Sequence, residues 1–398
     1  MSKRASVMLY SVLCMMVLCS LCGCADTEIL QDRLQTAALK TDLIQETEEA
    51  NEENGQGTCF AYHSLGEAEQ IWYQNIADSL GDMQEEIRLD KSGIDQGLDE
   101  TDIDRIFQCV LMDHPELFYV EGYTYTKYNR GERLVAIEFS GTFSMNREQV
   151  LARRTEIDRK TQELLAGAAG LTDDYDKVKY VYETLIRNTE YDLNAPDNQN
   201  IYSVFVNGKS VCQGYAKAVQ YLLERMGVEC TLVQGIVDTG EGHAWNLVKV
   251  NGSYYYVDAT WGDASYLPNE EGTSSSYVPE INYDYLCVST EQLLRTHILE
   301  SYVPMPACVD GKDNYYVREG ALFSSYDREK MRLLFEKFRN EGKTDVTLKC
   351  TDAVCFQQIM TALVEEQEIF DYLTEDSDSI AYTQNEKQLS MTFWVTNE

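Results

Sequence analysis

GHAWNLVKVNGSYYYVDATW, residues 242–261, reads as two apolar strands joined at Asn251-Gly252. Asn-Gly is the strongest short hairpin signal, because both residues tolerate the positive φ that a two-residue turn demands. Val250 then faces Ser253, which sets Asp258 opposite Trp245 and His243 opposite Thr260. In that register His243 and Asp258 are diagonal neighbours on one face. Diagonal Cβ atoms lie roughly 7 Å apart, a gap that an imidazole and a carboxylate close with a hydrogen bond. An Asp that accepts from one imidazole nitrogen fixes the tautomer and frees the other nitrogen as a base. The bland alternative is a His–Asp pair on a solvated hairpin.

Upstream, Cys230 to Val237 reads as a third strand. Before it, residues 213–226 form a helical pattern with Ala216, Val219, Leu222, Leu223 and Met226 on one face, stopped by Gly227. Cys212 falls in the first turn of that helix. Unpaired backbone N–H groups and the positive end of the helix dipole favour a thiolate there, and the same N–H groups can hold a developing oxyanion. Gly214 leaves room for a substrate or a neighbouring backbone to come close. Alone, a cysteine at a helix start is more often a small buried hydrophobe. With His243 and Asp258 behind it, the nucleophile–base–orienting-acid reading gains on that alternative.

Ser210-Val211-Cys212-Gln213-Gly214-Tyr215-Ala216, then Gly242-His243-Ala244-Trp245-Asn246, then Tyr256-Val257-Asp258-Ala259-Thr260-Trp261 together resemble the transglutaminase-like superfamily. The resemblance covers roughly Tyr175 to Trp261 and, more weakly, Tyr285-Leu286 and the segment ending at His297. It implies an α+β, papain-like core in which a helix with an N-terminal Cys packs on an antiparallel sheet. It also implies Cys212 as nucleophile, His243 as base and acid, and Asp258 as orienting group. Gln213, Tyr191 and Trp261 are candidates for the second oxyanion donor. His297 is expected to be a surface or core histidine outside the site, since a thiol triad needs one base. The residues flanking Cys212 differ from those of the animal crosslinking enzymes, and no acidic loop has calcium-ligand spacing. Calcium-dependent crosslinking is therefore not implied, and no cofactor or metal is expected. The implied chemistry is acyl transfer from a peptide or amide bond, to water in a peptidase or amidase and to an amine in a transamidase. The rival is a binding or scaffolding lipoprotein that keeps the fold without the activity.

The chain has 398 residues, 33 basic and 67 acidic, for a formal charge of -34. Such a field repels phosphate backbones, so nucleic acid is excluded as a partner; composition leaves the oligomeric state open. At the N-terminus Lys3 and Arg4 precede an apolar run, Val7 to Leu21, too short for a comfortable membrane span. It ends in Leu21-Cys22-Gly23-Cys24, which resembles a bacterial lipobox and implies a lipid on Cys24, with export to the outer face of the cell membrane. An uncleaved N-terminal anchor is the alternative. Of the 12 cysteines, those beyond Cys24 are irregularly spaced and show no C-x-x-C pair, so neither a structural zinc nor a disulfide pattern is readable.

The expected organisation is a signal peptide (1–23), an acidic tether (24–57), an N-terminal α+β unit (58–168), the transglutaminase-like unit (169–303) and a C-terminal α+β unit (304–398). In the last, a strand is expected over Tyr315 to Phe323, a helix over Asp327 to Glu341, a strand over Asp345 to Cys350, a long helix over Ala353 to Tyr372, and two closing strands.

Overall fold

The structure, a computed structural model, describes residues 59–263, 279–373 and 379–394. The expected signal peptide, tether and Cys24 lie outside the described residues. Among the described residues no helix is long and apolar enough to cross a membrane.

After a helical turn at Phe60–His63, the N-terminal unit includes helix α1 (Glu67–Gly81), strand β1 (Ile87–Arg88) and, beyond a short helix at Lys91–Asp95, helix α2 (Asp102–Asp113). Helix α2 buries Ile103, Ile106, Phe107 and Val110, the single face that their spacing dictates. Strands β2 (Val120–Arg130) and β3 (Arg133–Phe143) pair antiparallel, and β1 joins the free edge of β3. Helix α3 (Arg147–Leu165) starts on a capping box, with Asn146 and Gln149 each accepting from the other's backbone N–H.

Helix α4 (Asp174–Asn188) is capped by Asp173, whose carboxylate accepts from the Tyr175 and Asp176 amides. Helix α5 (Cys212–Arg225) follows, then strands β4 (Cys230–Val237), β5 (Gly242–Val250) and β6 (Ser253–Val257). The turn between β5 and β6 has φ of 51° at Asn251 and 86° at Gly252, both left-handed as that dipeptide allows. The β5–β6 register runs from Val250↔Ser253 to Asn246↔Val257, as the turn dictates. It goes no further. Asp258 leaves the sheet to cap a short helix, α6 (Ala259–Gly262), so Thr260 does not stand opposite His243. The cause is local: an Asp before Ala-Thr-Trp can bond the amides two and three residues ahead, and the capped turn displaces the last ladder bonds. His243 pairs instead with Gly235 on β4. On the other edge of β4 lies a short strand that sequence reading missed, β7 (His297–Leu299), which completes a sheet in the order β6-β5-β4-β7.

The C-terminal unit comprises β8 (Leu322–Phe323), α7 (Arg328–Asn340), β9 (Asp345–Cys350), α8 (Ala353–Met360), β10 (Ala381–Asn385) and β11 (Ser390–Trp394), with sheet order β8-β9-β11-β10. Two expectations fail here. Tyr315 to Phe323 is not one strand: Asn314 caps a helical turn over Tyr315–Arg318, Gly320 at φ 72° ends it, and only Leu322–Phe323 is extended. The β-favouring Tyr-Tyr-Val run yields to the cap. The long helix over Ala353 to Tyr372 breaks into α8, a wider turn at Thr361–Glu365, a left-handed Gln367 and a tight turn at Glu368–Tyr372. No Gly or Pro marks that break.

Buried apolar side chains from Ala61 to Phe393 form one connected cluster, so the C-terminal sheet packs continuously against the central unit. That contact carries polar groups as well: Lys349 on β9 and Gln388 in the β10–β11 turn are 1% and 0% exposed.

Candidate active site

Cys212 is the first residue of α5, after Val211 in extended conformation. Helix geometry leaves the Cys212 and Gln213 amides without intrahelical acceptors. Their approach is held by Val211, whose amide donates to the Asn198 carbonyl, and by Ser210, whose hydroxyl donates to the same oxygen at 2.6 Å. Gly214 is required by this packing: a Cβ there would sit 1.9 Å from Ser210 Oγ. The close neighbour is thus the protein's own loop.

His243, near the start of β5, is buried, and the Cys212 side chain is among the groups that raise its pKa. Its Nε2 lies 2.8 Å from Asp258 Oδ2, which leaves Nδ1 for the thiol. Asp258 is 1% exposed and fully occupied. Its Oδ1 accepts from the Thr260 amide at 2.9 Å and the Trp261 amide at 3.1 Å, and its own amide donates to the Tyr285 carbonyl. The diagonal pair expected from a flat hairpin is therefore made by a helix cap that swings Asp258 beneath the imidazole.

The fourth member of this cluster is His297, which sequence reading placed outside the site. It is wholly buried, and its Nε2 lies 3.1 Å from the same Asp258 Oδ2. Its other nitrogen, Nδ1, is 2.9 Å from Thr296 Oγ1. A buried carboxylate keeps its charge only when several donors meet it, and one imidazole does not satisfy Oδ2. The missing signal is long-range: His297 reaches Asp258 through the β4–β7 pairing, which no local pattern encodes.

The electrostatics of the two imidazoles diverge. Burial works to lower the His243 pKa, but the Asp258 charge, the hydrogen bond to it and Cys212 outweigh burial and raise it to about 10. For His297 burial prevails over Asp258 and lowers the pKa, so that ring is neutral. Burial pushes the Asp258 carboxyl up, yet His243 and the bonds from both imidazoles hold it below the usual carboxylate range. Asp258 is thereby an acceptor only.

His243, Asp258 and His297 bring three ligand-type atoms within 4.8 Å of one another, the donor set of many divalent-metal sites. The two imidazole–carboxylate contacts, at 2.8 and 3.1 Å, are also of hydrogen-bond length.

The remaining candidates are scattered. Gln213 accepts at its side-chain oxygen from Gln234 Nε2 at 3.4 Å, and its backbone amide lies in the first turn of α5. Tyr191 is half-buried, its ring 6.5 Å from that of Tyr215. Trp261 leans on both imidazoles, 6.0 Å from His243 and 4.8 Å from His297, with its Nε1 buried and without a hydrogen-bond partner. All eight cysteines among the described residues are free thiols, and besides Cys212 only Cys59 is not fully buried.

Residues 162–259 match the family model described as Transglutaminase-like superfamily. That stretch is transglutaminase-like. Kyphoscoliosis peptidase of Mus musculus is 28% identical over 105 residues, an overlap of 22% of this chain and 16% of the peptidase. The Homo sapiens protein of the same name gives the same figures. This chain therefore matches about a sixth of the length of those relatives. The crystal structure of a TGase overlaps 39% of this chain and 48% of its own, at 16% identity and a TM-score of 0.27. The transglutaminase-like match stops at residue 259, before Tyr285, His297 and the whole C-terminal sheet.

Proposed function

We propose that this protein is an exported thiol acyl-transfer enzyme acting on peptide or amide bonds, with Cys212 as nucleophile, His243 as base and acid, and Asp258 as orienting group. The single observation that carries the reading is the His243–Asp258 pair, closed at 2.8 Å, with Cys212 at the head of a helix and near enough to raise the His243 pKa. The name peptidase borne by the mouse and human relatives agrees with it.

The steps follow from the geometry. Cys212 gives its proton to His243 and its sulfur attacks the substrate carbonyl carbon, while the charge gathering on oxygen meets the amides at the head of α5. His243 returns the proton to the departing amine as the C–N bond breaks, leaving a thioester on Cys212. Water or a second amine then loses a proton to His243 and attacks the thioester, and the released sulfur recovers that proton. Asp258 holds the imidazolium formed at each stage and does not itself change protonation. The lipid anchor on Cys24 and the export of the chain belong to this reading on sequence grounds alone.

The test is an acid-quenched incubation with a peptide mixture and a fluorescent primary amine, read by intact-protein and peptide mass spectrometry. An acyl adduct on Cys212, absent from Cys212→Ala, is the expected result; cleaved peptide against amine-labelled peptide then separates hydrolysis from transamidation. A Cys212→Ala protein that still turns over peptide would overturn the mechanism. Absence of an adduct, with Cys212 alkylated by iodoacetamide no faster than an ordinary thiol, would give the lead to the scaffold reading.

A further inference from the structure

We propose that Lys349 and Gln388, from the C-terminal sheet, are positioning residues of the thiol site: through Tyr285 and Thr296 they hold His297 as an uncharged Nε2–H donor to Asp258. The proposal rests on the site reading above and extends it to residues outside the transglutaminase-like match.

The direction of every bond in the chain is set at its far end. Lys349 has donors and no acceptor. Its Nζ is 3.2 Å from Gln388 Oε1, so that oxygen accepts and Gln388 Nε2 must face onward, to Tyr285 OH at 3.4 Å. Tyr285 accepts there, which sends its own proton to Thr296 Oγ1 at 3.3 Å. Thr296 in turn donates to His297 Nδ1 at 2.9 Å. A neutral imidazole that accepts at Nδ1 carries its proton on Nε2, the atom 3.1 Å from Asp258 Oδ2. All the donors point toward Asp258.

The cost of this arrangement argues for a role. Lys349 is almost wholly buried, and an ammonium in such a place is usually less stable than an apolar side chain of the same size. Burial lowers the Lys349 pKa, and Asp284, with Oδ1 at 3.0 Å, opposes that shift; Asp284 is fixed in turn by Ser390 Oγ at 2.6 Å and Tyr316 OH at 3.1 Å. Asp238, the other acid facing His297, is paired with Lys387 beside Gln388. The β10–β11 turn thus meets two neighbours of His297, Asp238 through Lys387 and Tyr285 through Gln388. Were His297 to take a second proton, Asp258 would divide its charge between two imidazolium rings, and His243 would bind its own proton less tightly.

The full-length protein, labelled with 15N at histidine, gives the test by two-bond 1H–15N correlation across a pH series. The wild type is expected to show His297 as the neutral Nε2–H tautomer. Thr296→Val and Gln388→Leu are expected to lose that tautomer preference and to lower the His243 titration midpoint by about one pH unit or more, whereas Thr296→Ser retains the wild-type spectrum. If Thr296→Val does not fold, Tyr285→Phe cuts the same line at the next hydroxyl. Folded variants with unchanged His297 tautomer and unchanged His243 midpoint would overturn the proposal. Because neither readout needs turnover, a wild type that forms no acyl adduct defeats the catalytic reading while the spectra still judge the relay.

Discussion

Gly235 lies so close to Ile298 that a Cβ on it would sit 2.1 Å from the Ile298 carbonyl oxygen. The same Cβ would press on Trp245 at 2.6 Å, and Gly235 is paired with His243 on one side and Leu299 on the other. Gly235→Ala must therefore part β4 from β7. Overpacking of this kind costs about 1–3 kcal/mol. Thermal melting should show a fall of that size, and Cys212 alkylation should slow beyond what the lost stability explains, because His297 travels with β7. Wild-type melting and reactivity in Gly235→Ala would show that the strands yield freely there.

The pH dependence of stability carries a sign. His243 is raised in the folded protein from 6.5 to about 10. Its contribution is therefore complete below pH 6.5 and is lost as pH rises toward 10. The pKa of His297 is lowered, so its term works oppositely and stability is lost as pH falls below 6.5. His243→Asn should flatten the alkaline side of a melting-temperature profile, and His297→Asn the acid side. Parallel profiles for wild type and His243→Asn between pH 6.5 and 10 would contradict the His243–Asp258 coupling.

Asp258→Asn keeps the shape and removes the charge. Its amide would present N–H groups to imidazoles that already donate, so His243 should lose its raised pKa. The expected loss in kcat is about 100- to 10,000-fold with little change in KM, measured on whichever peptide the acyl-adduct screen identifies. Full turnover would remove Asp258 from the mechanism.

Gly214→Ala should destabilise by about 1–3 kcal/mol through its clash with Ser210 Oγ. Ser210→Ala removes that oxygen, so the double variant should recover part of the loss in denaturant melts. Strict additivity of the two changes would place the clash elsewhere.

The legible parts of this molecule were those with local causes. Asn251-Gly252 set the β5–β6 register as far as Asn246↔Val257, and the apolar stripe behind Cys212 located α5 within a residue of its start. The Asp258 cap was also written locally, in Asp258-Ala259-Thr260, but lay hidden behind a strand pattern that ran up to it. Two features had no local cause to read. The break after Met360 lacks a Gly or Pro, with Gln367 taking the left-handed conformation instead. His297 and Gln388 meet the site only through strand pairing and packing between residues distant in the chain. A histidine flanked by Thr and Ile in an apolar run looks the same whether it meets a carboxylate or only hydrophobic neighbours.

The bond from Gln388 to Tyr285 also has a bearing on time. A ribosome makes Cys212, His243 and Asp258 well before it makes Lys349 and Gln388. A nascent chain that has folded its thiol and imidazole still lacks the groups that orient the second ring. If the relay works as proposed, the site is complete only once the last hairpin has closed.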